Sequence, residues 1–130
     1  MNYTILVTGA PYGTQNSTTA LLFCNALVAS KNRLLSAFFY CDGVLNANGF
    51  ISFSSDEYDL VRKWVILHKQ HSVKLFVCMS AASRRGVVDV IVDKQQDNIL
   101  KKSNLRSSFI LTGLSKFSDY LEISDRIIRF

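Results

Sequence analysis

Cysteine is scarce in this sequence and forms no paired pattern. Only Cys24, Cys41 and Cys78 occur among 130 residues, and no CxxC spacing is present. An odd count with no export signal argues against a disulfide framework. His68 and His71 make an HxxH pair, but no cysteine stands near them in sequence, so no structural zinc site is expected. Proline occurs once, at Pro11, and there is no linker-like tract, low-complexity segment or repeat of solenoid length. Residues Met1 to Thr8 lack the basic start of a signal peptide, and Gly9-Ala10-Pro11 ends the apolar run early. No run approaches the roughly 20 apolar residues of a membrane span. The expectation is a soluble cytoplasmic chain, with no membrane partner, folded as one domain over residues 1–130.

What is present is an ordinary globular balance. Apolar residues make up 48% and charged residues 19%, a mixture that folds rather than one that stays disordered. A chain of this length buries roughly two-thirds of its surface, enough for one core. The net charge of +5 permits RNA or an acidic protein as partner. However, Lys94, Lys101, Lys102 and Arg106 stand among Asp93, Asp97 and several Asn and Gln, with no aromatics interleaved as in a single-strand binder. They read as a solvated surface, so no direct nucleic-acid contact is expected.

Strand and helix signals alternate along the chain. Tyr3 to Val7 is a short β-branched run ended by Gly9 and Pro11, the pattern of a buried strand. Asn16-Ser17-Thr18-Thr19 offers N-caps for a helix through Ser30, with Leu21, Cys24, Leu27 and Val28 at helical spacing. Leu34 to Tyr40 is a second strand, and a loop rich in Gly, Asn and Asp follows from Cys41 to Phe53. Ser54 with Glu57 matches a capping box before a helix that carries Leu60, Val61, Trp64, Val65 and His68 on one face. Val73 to Cys78 is the third strand. The polar stretch Ser80 to Asn104 reads as mostly helical, broken at Gly86. Ser108 to Thr112, Leu114 to Leu121 and Arg126 to Phe130 then give strand, helix and strand. The class is α/β, with a mainly parallel five-stranded sheet and helices on both faces, layered as in Rossmann and flavodoxin-like folds. Right-handed crossovers place the strand-to-helix loops at one edge of such a sheet, where reactive groups gather.

Three loops meet that condition: Gly9 to Gln15, Cys41 to Val44, and Cys78 to Gly86. Cys78 ends the third strand just before Met79-Ser80-Ala81-Ala82-Ser83-Arg84-Arg85-Gly86. A helix starting near Ser80 would turn its unpaired N–H groups and dipole towards Cys78. Arg84 and Arg85 would add positive potential, and both effects favour the thiolate that attacks a sulfane sulfur. The alternative is a structural cysteine capping a buried strand, and position alone does not choose between the two. Cys41 follows the second strand but precedes Asp42, whose charge disfavours a thiolate; a resolving thiol there is the lesser alternative. Cys24 falls on the apolar face of the first helix and reads as core. Thr8 to Thr18 offers glycines, hydroxyls and a helix start in the manner of a phosphate cradle. It matches no nucleotide motif and reads better as a shaping loop, with Pro11 and Gly13 setting the turn and Tyr12 beside the site. No cofactor is expected. His68 and His71 read as surface residues near a helix end, and Trp64 as core.

These residues together resemble the DsrE/DsrF-like family, in the branch that works in sulfur relays. The likeness runs through Thr8-Gly9-Ala10-Pro11-Tyr12-Gly13-Thr14-Gln15, then Phe38-Phe39-Tyr40 and Asp42-Gly43-Val44-Leu45-Asn46-Ala47-Asn48. It continues through Ser55 to Val61, Cys78-Met79-Ser80-Ala81-Ala82, Arg84 to Asp89, Ser103-Asn104-Leu105, Leu111 to Leu114 and Asp125 to Phe130. The ordered set is specific although no single motif is. The resemblance implies a sulfurtransferase that holds a persulfide on Cys78, with Arg84, Arg85 and Tyr12 in support. It implies a heterohexamer with TusB- and TusC-like subunits, a TusA-like sulfur donor, a TusE-like acceptor, and thiolation of a tRNA wobble uridine as the end. It leaves as alternatives a DsrE-type subunit of dissimilatory sulfur metabolism and a non-catalytic scaffold subunit; a flavin or nucleotide module at Gly9 to Ser17 is the other class of function. Ser80 and Ser83 stand where apolar residues are expected, Cys41 is not a cysteine of the family pattern, and residues Val90 to Lys102 are unusually rich in Lys, Asn and Gln.

Overall fold

The computed structural model describes residues 1–89, 91–92, 99–100 and 103–130. The chain runs β1 (Asn2–Val7), α1 (Asn16–Ala29), β2 (Arg33–Phe39), a 3-10 helix (Cys41–Ala47), α2 (Leu60–His71), β3 (Lys74–Cys78) and α3 (Met79–Arg84). It continues with β4 (Ile91–Val92), β5 (Ile99–Leu100), β6 (Phe109–Thr112), α4 (Leu114–Ile123) and β7 (Arg126–Arg129). Five strands form one sheet in the order β6-β3-β2-β1-β7, and every pairing in it is parallel. The expected α/β architecture is therefore the observed one. Among the described residues no helix is long and apolar enough to cross a membrane.

Strand order explains the layering. The chain steps in one direction from β1 through β2 and β3 to β6, then returns past all of them to lay β7 beside β1. Right-handed crossovers place connections of opposite step direction on opposite faces of the sheet. So α1 and α2 pack together on one face, and α4 packs against β1 and β2 on the other. Alternate side chains of one strand serve the two layers. Phe39 meets Trp64 of α2 with ring centroids 5.1 Å apart, while its neighbour Phe38 meets Phe117 of α4 at 4.9 Å. Phe76 of β3 meets Tyr120 at 5.1 Å. The core of Ile5, Val7, Leu21, Cys24, Ala37, Phe39, Trp64, Leu75 and Val77 is fully buried. Each large side chain there contributes on the order of 1.5–3 kcal/mol by leaving water.

Several local expectations are corrected. The stretch after Tyr40 is a 3-10 helix rather than an open loop, because Gly43 lies flat on β1: a Cβ there would fall onto the Val7 carbonyl oxygen. Ser54 and Glu57 make only half a capping box, with the Ser54 N–H donating to Glu57 Oε2 at 2.8 Å. The helix begins later, at Leu60, where Asp59 Oδ1 accepts from the Arg62 N–H at 2.9 Å. No side chain caps α1: Ser17 turns inward instead. His68 is half-buried, its Nδ1 2.9 Å from the Val73 carbonyl oxygen, while His71 is exposed. The expected helix beyond Ser80 stops at Arg84. Gly86, at φ +70, closes it with a Schellman pair: the Val87 N–H donates to Ala82 O at 2.9 Å and the Gly86 N–H to Ser83 O at 3.2 Å. Beyond it, β4 and β5 pair antiparallel rather than continuing as helix. The proposed solvated surface at Asp93, Lys94, Asp97, Lys101 and Lys102 lies outside the described residues.

The loops at the C-terminal edge of the sheet share one buried side chain. Asn46 is fully buried. Its Nδ2 donates to Gly9 O at 3.1 Å and to Gly43 O at 2.8 Å, and its Oδ1 accepts from Ser17 Oγ at 2.8 Å. Trp64 Nε1 in turn donates to Ser17 Oγ at 3.3 Å. Truncating Asn46 strands several buried groups at once, each costing about 1–3 kcal/mol when nothing replaces it. Asn46→Ala is expected to lose about 2–4 kcal/mol in urea titration, partial re-satisfaction keeping it below the full sum. A loss under about 0.5 kcal/mol, the level of an ordinary surface substitution, would show that the network holds nothing.

Candidate active site

Cys78 closes β3 and occupies the position before the first turn of α3, with extended backbone angles of φ −61 and ψ 115. The ladder holds it: β3 lies between β2 and β6, Val77 pairs with Phe39, and Cys78 pairs with Thr112. The thiol is 3% exposed, so it sits at the floor of its surroundings and not on a free rim. Those surroundings are a cleft of about 270 Å³ walled by Tyr40, Cys78, Ser80, Arg84, Gly113 and Leu114. This is several times the roughly 30 Å³ share of one water, room for an added sulfur and the end of an incoming group. No side chain caps α3, so the N–H groups of its first turn remain without a side-chain acceptor. α3 has only six residues, so its dipole is short, and those N–H groups and Arg84 are the positive features beside the thiol.

The predicted residues part company here. Arg84 shares the cleft with Cys78. Arg85 is turned away: its Nε donates to Asp42 Oδ1 at 2.8 Å and its Nη1 to the Ala81 carbonyl oxygen at 3.1 Å. Tyr12 is exposed and lines a different, larger cleft of about 510 Å³ with Phe53 and Tyr58, between the starts of α1 and α2. Ser80, which stood out as a departure from the family pattern, is a wall of the Cys78 cleft. Tyr40 and Gly113-Leu114 were not singled out as site residues. Strand register carries the signal for them: Tyr40 follows the Phe39 that pairs with Val77, and Gly113 follows the Thr112 that pairs with Cys78.

The three thiols differ sharply in setting. Cys24 is fully buried in the core, and burial pushes its thiol up to about 12. Cys41 is exposed, with a left-handed φ of 50.

The profile of the DsrE/DsrF-like family matches residues 1–130. The chain belongs to the DsrE/DsrF-like family. Among its relatives, the sulfurtransferase TusD of Buchnera aphidicola subsp. Baizongia pistaciae is 58% identical over 130 residues, covering 100% of both chains. That of Serratia proteamaculans is 46% identical over 100% of this chain and 99% of its own. That of Salmonella arizonae is 44% identical over 100% of both. The ychN protein of E. coli superposes over 100% of both chains with a TM-score of 0.69 at 17% identity, a likeness of fold alone. Identity of this extent with sulfurtransferases makes sulfur transfer the class of activity of this DsrE/DsrF-like chain.

Differential alkylation tests the thiol settings. At about pH 8 an exposed thiol reacts in its thiolate fraction while a buried neutral one does not. Iodoacetamide is expected to label Cys41 in the native protein and Cys24 only after unfolding in urea. Native labelling of Cys24 would contradict its burial.

Proposed function

We propose that Cys78 carries sulfur as a persulfide and that this chain is the sulfur-carrying subunit of a relay. The observation that supports the reading is the buried thiol at the end of β3, sharing its cleft with Ser80 and Arg84. The chemistry is redox-neutral. The Cys78 thiolate attacks the outer sulfur of a donor persulfide; a new S–S bond forms on Cys78, the donor's S–S bond breaks, and the donor leaves as thiolate. Delivery repeats the step with an acceptor thiolate attacking the outer sulfur held on Cys78. Ser80 and the first-turn N–H groups of α3 supply hydrogen bonds to the terminal sulfur, and Arg84 supplies the charge that favours its anionic form. Enclosure keeps bulk thiols from reducing the persulfide before an acceptor arrives.

The family resemblance extends this reading. It points to a cytoplasmic heterohexamer with TusB- and TusC-like subunits, loaded by a TusA-like donor and emptied to a TusE-like acceptor. The sulfur would end on a tRNA wobble uridine, with no tRNA contact required of this chain. Charging the protein with a cysteine desulfurase, cysteine and the TusA-like carrier, then mapping cysteines by mass spectrometry, tests it. The expected result is one reductant-labile sulfur atom on Cys78, lost in Cys78→Ser together with relay activity. A Cys78→Ser protein that still relays sulfur in full would overturn the proposal, and an unloaded wild-type chain in an intact complex would make it a scaffold.

A further inference from the structure

Two helices begin at the Cys78 cleft. β3 and β6 end side by side, with Cys78 paired to Thr112. α3 starts at Met79, and α4 starts at Leu114 after the single residue Gly113. Side-chain alternation puts Cys78 on the α4 face of the sheet, because Phe76, two residues before it, meets Tyr120 of α4 at 5.1 Å. Tyr40 shares that face, since Phe38 meets Phe117 of α4 at 4.9 Å. α4 therefore runs back across the sheet from a start beside the thiol, and Gly113 and Leu114 are walls of the cleft. It is ten residues long, against six for α3. No side chain caps it, and its first turn holds no acidic residue. The Lys116 N–H turns back to the Gly113 carbonyl oxygen at 3.2 Å. The N–H groups of Leu114 and Ser115 have no acceptor among the described residues, as at any open helix start.

The second observation is the thiol itself. Cys78 is 3% exposed, lines the same cleft and makes no hydrogen bond among the described residues. No carboxylate walls that cleft, so nothing there competes for an anion. We propose that the start of α4 is the anion seat of the Cys78 persulfide, where the Leu114 and Ser115 N–H groups donate to the terminal sulfur. The inference rests on the reading of Cys78 as carrier. A sulfur added to Cys78 lengthens the side chain by about 2 Å, into the cleft that these donors wall. The helix dipole and its unpaired N–H groups favour a negative charge there. The seat selects the anionic persulfide over a neutral disulfide of the same length. It thereby biases exchange towards sulfur held on Cys78.

Charge separates this role from a structural one. Leu114→Pro deletes one N–H while keeping the helix, because proline suits the first helical position and Gly113 before it is already extended, at φ −79 and ψ 169. Leu114→Ala trims the same side chain and keeps the N–H. Each is equilibrated with glutathione persulfide, and mass spectrometry after quenching reads the partition. The outer sulfur passes to Cys78, the S–S bond of the donor breaks, and glutathione leaves as thiolate. Glutathione methyl disulfide is the neutral counterpart, delivering a methylthio group by the same exchange. The expected result is a persulfide partition lower in Leu114→Pro than in Leu114→Ala by roughly tenfold, the worth of one hydrogen bond to a charged group. The two variants are expected to take up the methylthio group equally. Gly113→Asn covers the case in which Leu114→Pro does not fold: a Cβ at residue 113 meets only ordinary contact, at 3.6 Å from Ser115 Oγ. An asparagine cap stabilises the helix while occupying a first-turn N–H. It is expected to keep or raise the thermal melt and to lower the persulfide partition but not the methylthio one. Equal persulfide partition, or equal loss of both adducts, would overturn the inference and leave Cys78 as carrier. A wild-type Cys78 that takes no sulfur from glutathione persulfide would overturn both.

Discussion

One buried amide holds the loops at the C-terminal edge of the sheet together. Asn46 takes a hydrogen bond from the α1 residue Ser17 and gives one each to the carbonyls of Gly9 and Gly43, while Trp64 of α2 bonds to the same Ser17 hydroxyl. An asparagine side chain can donate twice and accept, and here it does all three. A satisfied polar network in a low-dielectric interior is rigid, and a half-satisfied one is costly. The consequence is geometric. The loop after β1, the 3-10 helix after β2 and the first turn of α1 cannot shift independently, so the wall formed by Tyr40 keeps its place beside Cys78.

The sheet and its C-terminal edge were legible in the sequence because they depend on short-range pattern. Runs such as Tyr3 to Val7 and Val73 to Cys78 are apolar and β-branched, and the strand end marks where a loop must open at the edge. The place of Cys78 at the end of β3 was read that way, and Trp64 and Cys24 fell on the apolar faces that helical spacing assigned them. What escaped depends on distant partners. Gly43 looks like a loop glycine until β1 lies against it. Ser17 looks like an N-cap until Asn46, far along the chain, offers a better acceptor in the interior. The β4–β5 pair needs Ile91 to meet Leu100, and a polar stretch between such short strands reads as helix. Tyr40 and Gly113 belong to the cleft through strand register alone.

The adjacent arginines illustrate the same limit at the site. Consecutive residues on a helix point in directions about 100° apart and do not share a face. Arg84 and Arg85 read as one basic pair in sequence, yet only Arg84 walls the cleft, while Arg85 bonds across to Asp42. The pair with Asp42 is solvent-exposed, with side chains 30% and 64% accessible, so its contribution to stability is on the order of 1 kcal/mol or less.

Its importance lies in placement. The 3-10 helix and α3 are the two short elements that begin where β2 and β3 end, and each is too short to orient itself by its own hydrogen bonds. The 3-10 helix is held from below by Asn46 and Gly43. α3 is closed by the Schellman turn at Gly86, behind which Asn104 donates to Gly86 O at 2.8 Å and accepts from the Val88 N–H at 2.8 Å. Asp42–Arg85 is the side-chain bond that joins one element to the other on the solvent side. Loss of that pair would leave Arg84 on the wall of the cleft, while freeing the segment that carries Asp42 relative to α3. A weak surface ion pair can therefore matter more to how these two short elements sit beside each other than to the stability of the fold that holds them.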